Sequence, residues 1–112
     1  MHNSRNNRVL CGTLLLQYCK LLEVRDIPKL IFYKKEIEQI PVEERGRITY
    51  KRLDGQYFSE SNIVYVNLSN HRTRAQLEDT IIHELVHKIS DNELPHGIMF
   101  DSVIYLIKSL LS

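Results

Sequence analysis

Tryptophan is absent from this chain, and glycine, proline and cysteine are scarce, at four, three and two residues among 112. So little glycine and proline excludes collagen-like and Pro/Gly-rich low-complexity classes. The two cysteines form no C-x-x-C pair, which excludes a zinc ribbon and a thioredoxin-like redox motif. Cys11 and Cys19 stand eight residues apart in one predicted helix, so about 12 Å separates them along its axis. That exceeds disulfide reach, and both are expected to be buried thiols of a reducing compartment. Charge of one sign is also lacking: the formal net charge is +1, which argues against a strongly basic nucleic-acid binder or an acidic tail. The local cluster Arg45-Gly46-Arg47 with Lys51-Arg52 reads as solvated turn and strand positions.

No apolar run is long enough to span a membrane. The longest, Val9 to Leu16, follows Arg5 and Arg8 as a secretory leader would, but Gln17 and Lys20 interrupt it and no small-residue cleavage site follows. The expectation is a cytoplasmic protein without a membrane partner, with a flexible N-terminus over 1–8 and one domain over 9–112.

Hydrophobic periodicity predicts the elements. Leu10, Leu14, Tyr18 and Leu21, widened by Leu15 and Leu22, give Val9 to Arg25 a helical stripe. Ile27-Pro28 breaks it, and Lys29 to Lys35 reads as a strand. Glu36 to Glu44 reads as either a helical turn or a loop. Arg47 to Leu53 is a predicted second strand, ended by the Asp54-Gly55 turn signal. Asn62 to Leu68 is a third, with Val64, Val66 and Leu68 on one face and Ile63, Tyr65 and Asn67 on the other. Between them Gln56 to Ser61 is too long for a tight hairpin, leaving a loose connection or an extra short strand at Tyr57-Phe58.

Thr73-Arg74-Ala75-Gln76 fits a capping box and opens a helix with stripes at Leu77, Ile81, Leu85 and at Ile82, Val86, Ile89. Ser90 to Asn92 ends it. A last helix runs from His96 to Leu111, with Ile98, Met99, Val103, Leu106, Ile107 and Leu110 as its predicted core face. This order implies an α+β fold: an N-terminal helix, a small three- to four-stranded mixed or antiparallel sheet, and helices packed on one side of it.

His83-Glu84-Leu85-Val86-His87 reads H-E-x-x-H inside that helix. Residues four apart share a helix face, so His83 and His87 can present two imidazoles to one ion. The spacing is that of zinc-dependent peptide hydrolysis, with Glu84 as general base. Catalytic zinc takes three protein ligands and leaves one position open, and His96 is the expected third. Glu93 and Asp101 are the alternatives, Asp101 also as acceptor for a ligand imidazole. Tyr105 is a weaker candidate for steadying an oxyanion. His71 belongs to the strand-to-helix turn and His2 to the N-terminal start. A peptide substrate is expected to add as a strand near Ile63–Leu68. The competing reading is a non-catalytic zinc-stabilised interaction module, whose fourth position Asp101 or Glu93 would close.

The run Leu77-Glu78-Asp79-Thr80-Ile81-Ile82-His83-Glu84-Leu85-Val86-His87, followed by His96-Gly97-Ile98-Met99-Phe100, resembles the SprT-like metalloprotease pattern. The resemblance covers roughly Ile63 to Leu106. It implies a zincin-like fold with the active-site helix beneath a small sheet, Zn²⁺ on His83, His87 and His96, and catalysis by Glu84. It also implies protein substrates, including proteins crosslinked to DNA. No cysteine follows Cys19, so the cysteine-rich zinc module of many such proteins has no counterpart in this sequence. In size the chain is also similar to the minigluzincins, single-domain proteases that can be held latent by their own segments and that use a glutamate as third ligand.

Overall fold

Ile63, Val64, Tyr65 and Val66 are all buried, a pattern only a strand covered on both faces can show. The computed structural model describes residues 4–32, 34–45, 54–91, 93 and 96–110. Among these, helix α1 spans Ser4–Leu21, strand β1 Lys29–Ile31, helix α2 Val42–Arg45, strand β2 Gly55–Phe58 and strand β3 Ile63–Val66. Helix α3 spans Arg74–Ile89 and helix α4 Ile98–Leu110, and 3₁₀ turns occupy Lys34–Gln39 and Leu68–Asn70. The sheet order is β1-β3-β2, with β1 parallel to β3 (Leu30 opposite Val64) and β2 antiparallel to it (Tyr57 opposite Val64). The result is an α+β domain of four helices and a three-stranded mixed sheet.

The alternation of β3 divides the interior in two. Val64 and Val66, continued by Leu68, join Leu14, Tyr18, Leu77, Ile81, Leu85 and Phe100 in the main core, contributed by α1, α3 and α4. Ile63 and Tyr65 point the other way, onto Ile31, Ile37, Ile40 and Phe58. Each fully buried aliphatic side chain contributes about 1.5–3 kcal/mol.

Several boundaries differ from those the sequence predicts. α1 begins at Ser4 rather than Val9; Asn7 is buried, Arg8 pairs with Glu36 at 2.6 Å, and its guanidinium lies 5.4 Å from the Phe32 ring centroid. Cys11 and Cys19 are free and buried. β1 stops at Ile31 because the Phe32 N–H donates to the Glu36 carboxylate, 3.0 Å away, turning the chain into the 3₁₀ segment. The extra short strand is present, as β2. The predicted strand Arg47–Leu53 lies outside the described residues. Arg45 spends its guanidinium on the carbonyls of Ile40 and Glu38, both at 2.7 Å.

The predicted core face of α4 is largely its outer face. Ile98, Met99, Leu106 and Leu110 are exposed, whereas Phe100 and Ile107 are buried and Val103 and Ile104 pack against the core. Among the described residues, no helix is long and apolar enough to cross a membrane.

Candidate metal centre

α3 carries two of the three imidazoles, and its ends are set by local chemistry. The Thr73 hydroxyl accepts from the Gln76 N–H while the Gln76 side chain accepts from the Thr73 N–H, both at 3.2 Å, forming the capping box. At the far end Asp91 adopts a left-handed conformation (φ 53°), a helix-stopping role in which asparagine, aspartate and glycine are favoured. Gly97 at φ 140° then turns the chain from His96 into α4. Few side chains tolerate that backbone.

The three rings meet. Nε2 of His87 lies 3.2 Å from Nε2 of His83 and 2.9 Å from Nε2 of His96, and the three ligand atoms all fall within 4.8 Å of one another. Phe100, 1 % exposed, packs against all three rings with centroid distances of 4.6, 4.8 and 4.9 Å to His83, His87 and His96. A tetrahedral zinc with bonds of about 2.0–2.1 Å sets its nitrogens about 3.4 Å apart; the two separations at His87 lie near that spacing, and imidazoles are donors that such an ion takes. Each ring nitrogen carries either one proton or one lone pair. Nε2 of His87 therefore makes one linear hydrogen bond at most, whereas a cation accepts all three lone pairs.

Electrostatics keep the helix imidazoles neutral. Burial, then the like charges of His87 and His96, hold His83 down to about 4, against the opposing pull of Asp101 and Asp54. Burial, then His96, lowers His87. Neutral imidazole is the form that ligates metal. Nδ1 of His87 is buried with no hydrogen-bond partner among the described residues.

Glu84 is 3 % exposed and faces the sheet. Burial pushes its carboxyl up to about 8; the Tyr57 backbone N–H, donating to it, works against that shift and the charge of Asp54 adds to it. Gly55 makes this crossing of α3 over β2 close. A Cβ there would meet Thr80 Cγ2 and the Tyr65 carbonyl at 2.8 Å and Glu84 Oε2 at 3.3 Å. Thr80, one turn before Glu84, is tied by its hydroxyl to Nε2 of the buried His71 at 2.7 Å, and Nδ1 of His71 donates to the Asn67 carbonyl, also at 2.7 Å. His71 is thus a clamp in the strand-to-helix turn.

Other candidates stand apart from the cluster. Glu93 is exposed in the turn after α3, and among the described residues no carboxylate joins the three-imidazole group. Asp101 acts on His83 through charge alone and hydrogen-bonds to none of the rings. Tyr105 is 74 % exposed, about 140° around the helix axis from Phe100, so it does not face the imidazoles. Strand addition at Ile63–Leu68 is corrected by the sheet: β3 is central, with β1 and β2 occupying both of its edges. Gly55 and the Tyr57 N–H, which border Glu84, were not singled out from the sequence, where Asp54-Gly55 reads only as a turn. Searches against protein-family models, curated proteins and solved structures return no match to this chain.

Proposed function

We propose that this chain is a zinc-dependent peptidase of SprT-like, zincin kind. The observation that carries this reading is the pairing of three convergent imidazoles, without a fourth protein donor among the described residues, with a buried carboxylate on the same helix. His83, His87 and His96 would hold the ion. When bound, zinc would act as a Lewis acid toward a water and a peptide carbonyl, bringing that water's ionisation toward neutral pH.

Glu84 does the proton work. Its carboxylate takes a proton from the attacking water and delivers it to the leaving amide nitrogen. Burial disfavours the anion, and a cation held by His83 and His87 of the same helix would favour it, which would keep Glu84 a base when the ion is bound. The Tyr57 N–H holds the carboxylate toward the sheet, and Gly55 leaves it room. An extended substrate would lie along β2, which among the described residues is the outer strand beside α3. A purely structural zinc site would need a fourth donor, which neither Asp101 nor Glu93 supplies.

The test compares zinc-loaded wild type with Glu84→Gln on an unfolded protein such as casein. The variant should keep its zinc and lose at least about 100-fold in cleavage rate, the scale of general acid–base catalysis. Equal cleavage by both proteins would remove Glu84 from its role.

A further inference from the structure

α4 carries more apolar side chains than the core covers, because only one side of it meets the core. Its outer side carries Ile98, Met99, Tyr105, Leu106 and Leu110, exposed at 84, 68, 74, 62 and 62 %. At about 150–250 Å² per large side chain, these five leave on the order of 600–700 Å² of apolar surface in water. The largest patch on a typical monomer is about 300–600 Å². Each partner of a standard interface contributes about 800 Å².

The relief of this face suits another helix. A groove of about 450 Å³ is lined by Ile98, Asp101, Ser102, Tyr105 and Leu106. Ser102 and Ser109 lie along the middle of the outer face, and small side chains there let a second axis come close. Their hydroxyls donate to the Ile98 and Leu106 carbonyls of their own helix, both at 2.7 Å, so a dry contact would strand no donor. Asp101 stands in the first turn, whereas Lys108, in the last, is turned toward α3 and pairs with Asp79 there.

We propose that the outer face of α4 is a self-association surface, on which a second copy of the chain packs its own α4 about a two-fold axis. Sedimentation of the whole chain, from micromolar to hundreds of micromolar, tests it. The expected result is a species of twice the 13.2 kDa chain mass that reverts to one chain mass in Leu106→Glu and in Tyr105→Glu, with far-UV circular dichroism unchanged. Should either glutamate unfold the helix, Leu106→Ser and Tyr105→Ser carry the same prediction. A chain that stays monomeric at every concentration overturns the proposal, including one that instead floats with phosphatidylcholine vesicles. A dimer indifferent to all four substitutions overturns it too, because its interface lies elsewhere.

Discussion

At Gly55 a single missing methyl group sets how closely α3 crosses β2. A Cβ at that position would press on the Tyr65 carbonyl and Thr80 at 2.8 Å, and backbone cannot swing aside as a side chain end can. Gly55→Ala should destabilise the fold by about 1–3 kcal/mol, the usual cost of overpacking. Gly12, in the middle of α1, is the contrast: a Cβ there meets nothing within 4 Å. Gly12→Ala should stabilise by about 0.5–1 kcal/mol through helix propensity. Denaturant melts of the two variants check both signs, and equal effects would contradict the geometry.

The thiols give a pH prediction at the same scale. Burial raises Cys11 from 9.0 to about 12 and also raises Cys19, whose shift is opposed by Lys88. A group raised in the folded state contributes stability that is complete below its unfolded value and is lost as pH climbs to the folded one. Folding stability should therefore be unaffected by these thiols below pH 9 and decline between 9 and about 12. At neutral pH neither thiol should react with a disulfide reagent until the protein unfolds, which a reaction time course with and without denaturant measures. Prompt native reaction would mean that the thiols are not enclosed.

Among the elements, the ones legible from sequence are those whose local chemistry agrees with their packing. The capping box at Thr73 is an example, since both of its bonds are made within four residues. Thr73→Ala should cost about 1 kcal/mol, within the range for lost helix caps, as a shift of the urea midpoint with unchanged slope. The alternation of β3 is equally legible, because a period of two sends Val64 and Ile63 to opposite cores wherever the strand sits. α4 is legible as a helix but not in its facing, since its apolar sector is wider than the side the core covers. Its burial is decided instead by Phe100, which seats against three imidazoles and thereby turns Ile98 and Leu106 outward. Sheet order was also beyond local reading: β3 became central through the pairing of β1 with a strand more than thirty residues later.

At the scale of the whole molecule, the candidate site is a tertiary product. His83 and His87 share a surface through helix geometry alone, and that part needed only the sequence spacing. His96 joins them because Gly97 permits the turn into α4 and because α4 packs on α3 through Phe100. The surroundings of Glu84 come from β2, 26 to 29 residues earlier in the chain, so no local pattern could have named Gly55 or the Tyr57 N–H. An ion that bridges α3 to the start of α4 would bind the folded chain and not the unfolded one, and so would stabilise it by mass action.

Zinc titration of the metal-free chain, followed calorimetrically, bears on this most directly. One ion should bind per chain, and the proton released at neutral pH, about one per ion, should come from Glu84, because His83 and His87 are already neutral. Glu84→Gln should leave the stoichiometry intact, and His96→Ala should weaken affinity by more than the roughly 10–100-fold typical of residues that only support a ligand. Failure to bind a stoichiometric ion, or binding that is indifferent to His96, would contradict the three-imidazole centre.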